Sequence, residues 1–153
     1  PQAGTVSVEF ENGESELLVN QNVLISTGSR PIELPFLKFN HQTVISSDDM
    51  MQLETLPKSM LIIGGGVIGL EFASLLNDLG VKVTIVEAGQ SIIPNEQREI
   101  SKTIKRSFEE NGINIHEKCP LSEQDVSIHD QHVDVTLQNE LDSIPPLLMT
   151  SKK

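Results

Sequence analysis

The chain is poor in aromatic residues and in cysteine. Its 153 residues include five Phe but no Trp and no Tyr, so the core must be largely aliphatic. The single cysteine, Cys119, cannot form an internal disulfide or a CxxC redox pair, and we interpret it as a buried, idle thiol. The four His residues show no metal-ligand spacing with other ligands, so we expect no metal site.

Basic residues are half as frequent as acidic ones. Eleven Lys and Arg stand against 22 Asp and Glu, which gives a formal net charge of −11. This charge disfavours nucleic acid and anionic membranes as partners. The apolar runs are too short to span a bilayer, and we recognise no signal peptide. We therefore expect a cytoplasmic protein of one or two small domains.

Residues 59–87 follow the order that a dinucleotide-binding unit requires: strand, glycine turn, helix, strand and acid. Residues 59–63 are apolar and strand-like, a helical period extends to Leu79, and residues 81–86 form a second strand-like run before Glu87. The glycine turn consists of Gly64, Gly65, Gly66, Val67, Ile68 and Gly69. On the helix, the residues that we expect to pack on the sheet are Ile68, Phe72, Leu75, Leu76 and Leu79.

Each glycine of this fingerprint has a physical role at a pyrophosphate. Gly64 permits the tight turn out of the strand, Gly66 allows the backbone to approach the phosphates, and Gly69 lets the helix lie near the sheet. The helix N-terminus offers unpaired N–H groups and a partial positive charge. The alternative interpretation is a tight turn between strand and helix that binds no ligand.

Glu87 indicates which dinucleotide the unit would bind. It follows Gly69 by 18 residues, at the end of the second strand. Its carboxylate can accept hydrogen bonds from a ribose diol and would repel a 2′-phosphate. Residues 88–91 contain no Arg or Lys that could receive such a phosphate. The sequence therefore predicts NAD rather than NADP.

The segment before this unit contains short strands and turns. Alternating residues from Thr5 to Phe10 and the Asn12-Gly13 turn predict a hairpin. We interpret residues 23–25 as a strand buried on both faces. The prolines of residues 30–35 favour extended backbone, where we place a domain boundary. Ser46 is expected to begin a short helix that continues to about Leu53.

The segment after Glu87 continues the alternation of helix and strand. Asn95 is expected to cap a helix over residues 96–110, and residues 113–115 predict the third strand. Residues 126–128 and 133–137 predict an antiparallel hairpin, and residues 147–149 a final strand. We therefore predict an α/β fold, with a Rossmann-like βαβαβ parallel sheet and an added antiparallel β-meander, preceded by the N-terminal hairpin and strand.

Two separate motifs resemble the pyridine nucleotide–disulfide oxidoreductases. Residues 61–71 resemble that family's NAD-binding segment. Residues 26–31 are similar to its ATGSxP turn, with Ser26 in place of Ala. The similarity covers roughly residues 5–140. Within the family it favours the branch that oxidises dihydrolipoamide in the 2-oxoacid dehydrogenase complexes.

The resemblance implies roles for particular residues. Residues 64–69 and Glu87 would hold NAD, and Leu121 would contact the adenine through its backbone. Thr27, Gly28 and Ser29 would lie at FAD. Glu71 would lie near the flavin, although an acid in the first turn of a helix is also explained by the helix dipole. Val67 takes the position where some relatives carry a Tyr that gates the nicotinamide pocket.

The resemblance also implies the activity and the domain organisation. The implied reaction oxidises dihydrolipoamide through a disulfide and FAD and reduces NAD+ to NADH. We expect residues 1–34 to be the C-terminal strip of an FAD-binding domain and residues 35–153 an NAD-binding domain. The family's CxxxxC dithiol, its FAD fingerprint and its interface domain are absent from this sequence. We therefore expect one portion of a longer, homodimeric enzyme of the 2-oxoacid dehydrogenase complexes, inactive by itself.

Two other functions fit the same motifs. The chain could be a free-standing NAD(H)-sensing module, although a sensor has no use for half of a flavin domain. It could also come from another disulfide oxidoreductase, such as mercuric reductase. Glutathione reductase fits less well, because it uses NADP and would require basic residues after the second strand.

Overall fold

The computed structural model describes residues 4–137, 140–144 and 147–149. The remaining residues of the predicted NAD-binding range, such as 150–153, lie outside the described residues. In chain order the elements are β1 (Thr5–Glu9), β2 (Ser15–Val19), β3 (Val44–Ser46), α1 (Ser47–Met50), β4 (Ser59–Ile63), α2 (Val67–Asp78), β5 (Lys82–Val86), α3 (Arg98–Glu110), β6 (Asn114–His116), a 3₁₀ turn (Glu123–Asp125), β7 (Val126–Ile128), β8 (Val133–Leu137), β9 (Glu140–Ile144) and β10 (Leu147–Met149).

Five parallel strands form the central sheet, in the order β3-β10-β4-β5-β6. Strands β4 and β5 are in register from Ser59 opposite Lys82 to Ile63 opposite Val86. Strand β10 lies between β3 and β4, which confirms the predicted final strand. With α2 and α3 as its crossover helices, the sheet confirms the predicted βαβαβ unit and directs the carboxyl ends of β4 and β5 to one edge.

The sheet is covered on both faces, because alternate residues of β4 enter two different apolar clusters. Met60 and Ile62 pack with Leu76 of α2 and Ile85 of β5. Leu61 faces the other way. It belongs to a second cluster with Leu37, Val44, Val86, Cys119, Val133, Val135 and Leu137. A sheet buried on both faces explains why its strands are nearly continuous apolar runs.

The face that α2 turns toward the sheet differs in part from the prediction. Leu76 is buried as expected, but Leu75 and Leu79 are half exposed, and Leu70 and Ala73 are buried instead. The buried face also carries Gly69. The sequence offered two apolar faces, and the face with small residues allows the closer approach between helix and sheet.

The bounds of the other two helices differ from the predicted ones. Helix α3 begins at Arg98 after Gln97, so the predicted cap at Asn95 is wrong. The Glu96 N–H instead donates to the Ile93 carbonyl oxygen at 3.0 Å, which makes residues 93–96 a separate turn. Helix α1 begins with the predicted Ser46 cap but ends at Met50, so the predicted end at about Leu53 is wrong. None of the helices in the described part of the chain is long and apolar enough to cross a bilayer.

Strands β7, β8 and β9 form the predicted antiparallel meander. Val133, Val135 and Leu137 alternate along β8 and are buried, while the residues between them are half-buried. The meander therefore packs its apolar face over the sheet and turns its polar face outward. The β7–β8 turn closes through the His129 N–H, which donates to the His132 carbonyl oxygen at 2.9 Å.

The N-terminal segment confirms the predicted hairpin but not the strand after it. Strands β1 and β2 pair antiparallel, and Gly13 in their turn has a φ of 84°. Residues 23–25 form no strand in the described structure, and Leu24 and Ile25 are 93% and 79% exposed. The buried-strand prediction is therefore wrong for this chain, because no described strand pairs with this segment and buries it.

Candidate functional site

The glycine turn has the backbone geometry that its residues require. Gly64 follows β4 with a φ of 107°, a left-handed backbone conformation that residues other than glycine rarely adopt. Its N–H donates to the Val86 carbonyl oxygen at 2.8 Å, which holds the turn against the end of β5. Gly66 is the N-cap of α2, and a β-carbon there would have no atom within 4 Å. The helix N-terminus is therefore open on the Gly66 side.

Gly65 is required for packing. A β-carbon on Gly65 would lie 2.6 Å from Cγ2 of Ile92, a fully buried residue of the loop after β5. The Ile93 N–H also donates to the Gly65 carbonyl oxygen at 2.7 Å. Ile92 and Ile93 of the loop after β5 thus hold the glycine turn in place. The sequence did not predict this contact.

Glu87 links the end of β5 to the same turn. Its Oε2 accepts the Gly65 N–H at 2.8 Å and its Oε1 accepts the Gly89 N–H at 2.5 Å. A carboxylate has about four lone-pair positions, so acceptor capacity remains after these two bonds. The acid and the glycines, 22 positions apart in the chain, are therefore brought into direct contact.

A cavity of about 240 Å³ lies beside Gly64 and Glu87, at the carboxyl ends of β4 and β5. Its lining residues are Leu34, Ile63, Gly64, Val86, Glu87, Ala88, Cys119, Pro120 and Leu121. Glu87 is the charged group among largely apolar walls, which suits a flat apolar base attached to a hydroxylated sugar. The structure thus brings Leu121 and Glu87 to one cavity.

Cys119 forms part of the cavity wall as a neutral thiol. It is 8% exposed, as predicted for a buried cysteine. Burial, together with the negative charge of Asp125, raises the pKa of its thiol. Since the thiolate is the reactive form, Cys119 contributes apolar surface rather than redox chemistry.

The loop after β5 is held by side chains that the sequence analysis missed. The Ile92 N–H donates to Glu117 Oε1 at 2.9 Å, and the Ser101 hydroxyl donates to the Ile92 carbonyl oxygen at 2.9 Å. Lys105 donates to the other oxygen of Glu117 at 2.8 Å. No local pattern marks these residues, because each acts across at least nine positions of the chain.

The pKa of Glu117 reflects these contacts. Burial by itself would raise it, but the Lys105 and Ile92 hydrogen bonds and the charges of Lys105 and Lys118 together hold it below its usual value. Glu117 is therefore ionised at neutral pH and keeps Ile92 against Gly65.

The other predicted site residues lie elsewhere. Val67 and Glu71 line a separate groove of about 430 Å³ between α2 and α3. Glu71 lies beyond the first turn of α2, which contains no acid, so the helix-dipole explanation for it is wrong. Ile68 is half-buried in the helix. The exposed residues 27–29, which carry the predicted FAD contacts, border neither cavity.

A family model for the pyridine nucleotide-disulphide oxidoreductases matches residues 1–144. The chain belongs to this family. This match confirms the resemblance of the two sequence motifs. We therefore interpret the glycine turn, Glu87 and the adjacent cavity as parts of a pyridine nucleotide-disulphide oxidoreductase fold.

Relatives and solved structures agree with this family. The chain is 48% identical over 114 residues to a dihydrolipoyl dehydrogenase of Bacillus subtilis, which covers 74% of the chain and 24% of that protein. It is 36% identical over 132 residues to a dihydrolipoyl dehydrogenase of Chlorobaculum tepidum, covering 86% of the chain and 28% of that protein. The chain thus spans about a quarter of the length of these relatives.

Among solved structures, the fold resembles the HOCl-induced flavoprotein disulfide reductase RclA from Escherichia coli. The TM-score is 0.74 at 27% identity, and the match covers 96% of this chain and 33% of that one. The α/β architecture therefore recurs within a longer flavoprotein of the same general class.

Proposed function

We propose that this chain is the NAD-binding portion of a dihydrolipoyl dehydrogenase-like flavoprotein. The whole protein would oxidise dihydrolipoamide through a disulfide and FAD and reduce NAD+ to NADH. The observation that supports the proposal most strongly is the contact of Glu87 with the Gly65 N–H beside an apolar cavity. The similarity to two dihydrolipoyl dehydrogenases supports the choice of reaction.

The adenosine half of NAD fits the cavity between Gly64 and Leu121. The adenine would lie against the apolar walls, and the ribose diol would donate to the free lone pairs of Glu87. The pyrophosphate would lie at the N-terminus of α2, on the open side of Gly66, where backbone N–H groups and the helix dipole favour an anion.

The charges around the cavity favour NAD over NADP. A 2′-phosphate would be placed next to the carboxylate of Glu87. Lys118 contacts the neighbouring loop through its N–H, which donates to the Gly89 carbonyl oxygen at 2.8 Å, but it does not line the cavity. Its charge helps to lower the pKa of Glu117. The cavity therefore offers a 2′-phosphate repulsion without a compensating cation.

The chemistry in the whole protein would be hydride transfer between nicotinamide and flavin. This chain's residues would bind and orient the nicotinamide dinucleotide and exclude water from its adenosine end. The dithiol must come from outside this chain, which has one cysteine. We propose that Thr27, Gly28 and Ser29 reach the FAD of the whole protein. The exposure of Leu24 and Ile25 just before them supports a packing partner for this segment.

The proposal extends to domains and partners. Residues 1–34 would belong to an FAD-binding domain and residues 35–153 to the NAD-binding domain. A homodimer, a 2-oxoacid dehydrogenase complex and a cytoplasmic location belong to the same proposal, and the similarity to dihydrolipoyl dehydrogenases supports them.

An amide NMR titration of this chain with NAD+ tests the binding site. We expect the largest shifts at Gly64, Gly66 and Leu121. ADP-ribose should reproduce the shift at Leu121, and nicotinamide mononucleotide should not, because the cavity would hold the adenosine half. Shifts centred on Ile104 and Phe108 of the α2–α3 groove, or no saturable shifts, would contradict the proposal. Turnover of dihydrolipoamide by this chain alone would contradict the proposal that the dithiol lies outside this chain.

A further inference from the structure

Two imidazoles and one carboxylate converge at the β7–β8 hairpin. Nε2 of His129 lies 3.1 Å from Oδ2 of Asp134, and Nε2 of His132 lies 3.7 Å from Oδ1 of the same residue. The two rings stack with their centroids 4.4 Å apart and an angle of 16° between their planes. One ligand atom from each residue lies within 4.8 Å of the others.

The strand register explains why these three side chains share a face. Ile128 pairs with Val133, so His129 lies opposite His132 across the turn. Side chains alternate along β8, so His132 and Asp134 project together, away from the buried Val133. The backbone thus directs the three groups to the outer face of the meander, where a metal ion can reach them.

We propose that His129, His132 and Asp134 bind a divalent transition-metal ion of the Zn²⁺ class. Two imidazoles and a carboxylate suit Zn²⁺, Ni²⁺ or Cu²⁺, whereas Mg²⁺ and Ca²⁺ require oxygen ligands. The site is separate from the dinucleotide cavity, whose lining includes none of these residues.

The spacing of one ligand pair already suits such an ion, and the wider separations, within 4.8 Å, must contract toward it. Two ligands at normal zinc distances in a tetrahedral site lie about 3.3 Å apart. The His129 to Asp134 distance of 3.1 Å is already close to this spacing. Three protein ligands leave a fourth position for water, and the two His side chains, at 46% and 45% exposed, give the ion access from solvent, whereas Oδ1 of Asp134 is buried. The site is therefore built for an exchangeable ion.

A bound ion would connect the two strands at the end of the hairpin. Strand β8 packs its other face into the cluster that contains Val86 and Cys119, beneath the dinucleotide cavity. Because the three ligands are assembled only in the folded hairpin, the ion would stabilise the folded chain by mass action. Zinc should therefore raise the melting temperature in proportion to the logarithm of its concentration above the dissociation constant.

Calorimetric titration of the full chain with ZnCl₂ tests the site. We expect one equivalent to bind, and His129→Ala and Asp134→Asn each to weaken binding at least about tenfold. His41→Ala is the matched control. His41 also bonds a carboxylate, Asp49 at 2.9 Å, but belongs to no three-ligand group among the described residues. The His41→Ala variant should bind zinc with the same affinity as the unmodified chain. No saturable binding below millimolar zinc, or equal losses in all three variants, would overturn the proposal.

A measurement on the unmodified chain avoids any effect of the substitutions on folding. Zinc should shift the side-chain Nε2 resonances of His129 and His132 together and leave those of His41 and His116 unchanged. Shifts confined to His41 or His116 would place the ion elsewhere and overturn the assignment.

Discussion

Gly65 and Ile92 are packed so closely that Gly65 cannot carry a side chain. The ideal position of a Gly65 β-carbon is 2.6 Å from Cγ2 of Ile92, well inside a normal carbon–carbon contact. Ile92 cannot easily move away, because its N–H and its carbonyl oxygen are bonded to Glu117 and Ser101. The glycine turn is thus held by the loop after β5 before any ligand binds.

Gly65→Ala should therefore destabilise the chain by about 1–3 kcal/mol, the usual cost of overpacking a filled site. Urea unfolding monitored by circular dichroism measures this loss. Gly66→Ala is the matched control, because a β-carbon there meets no atom within 4 Å and the φ of −76° is ordinary. It should change the free energy of unfolding by less than about 1 kcal/mol. Equal losses in the two variants would contradict the packing account.

The ion pair between Glu117 and Lys105 should contribute to stability in a pH-dependent way. The folded-state pKa of Glu117 lies below its ordinary value of 4.5. Its contribution is therefore complete above that ordinary value and is lost as the pH falls through the lower, folded-state pKa. Glu117→Gln should cost about 1–2 kcal/mol at pH 7, and the difference from the unmodified chain should shrink in acid.

Glu110→Gln is the control for this prediction. Glu110 pairs with Arg106 on the same helix, but both side chains are mostly exposed, at 62% and 82%. Exposed pairs contribute about 0–1 kcal/mol, so the change at pH 7 should be within about 0.5 kcal/mol. The account of Glu117 would be wrong if its variant lost the same stability at pH 3 as at pH 7.

Cys119 should react slowly with thiol reagents while the chain is folded. Burial and the nearby charge of Asp125 raise the pKa of its thiol, and only the thiolate attacks. Iodoacetamide labelling at neutral pH, followed by mass spectrometry, should be at least about tenfold slower than in urea. Cys119→Ala should still bind NAD+. Native labelling as fast as in urea would show a reactive thiolate instead.

The elements with strong local signals were predicted well from the sequence. The order strand, glycine turn, helix, strand predicted the βαβ unit, because Gly64 needs its left-handed backbone and both strands are predominantly apolar. The Asn12-Gly13 turn likewise predicted the first hairpin. Residues 23–25 have the same apolar character but form no strand, because strand formation also depends on a neighbour to pair with.

The contacts that complete the candidate site could not be predicted, because they join distant positions. Nothing near Glu117 in the sequence indicates that it will hold Ile92, 25 residues earlier. The cluster of His129, His132 and Asp134 at the meander is different from these contacts, because the sequence did contain a signal for it. The predicted hairpin turn places His129 opposite His132, and strand alternation adds Asp134, so combining register with ligand chemistry would have found it.

Calorimetric comparison of NAD+ and NADP+ tests the central claim, that Glu87 binds the adenosine ribose and excludes a 2′-phosphate. The unmodified chain should bind NAD+ at least about tenfold more tightly than NADP+, since an unpaired charge contact costs about 1.4 kcal/mol or more. Glu87→Ala should weaken NAD+ binding and remove the preference, while Lys118→Ala should keep it. The ratio of the two affinities is the decisive quantity, because loosening of the turn at Gly65 would affect both ligands alike. Equal affinities in the unmodified chain, or an unchanged ratio in Glu87→Ala, would contradict the account.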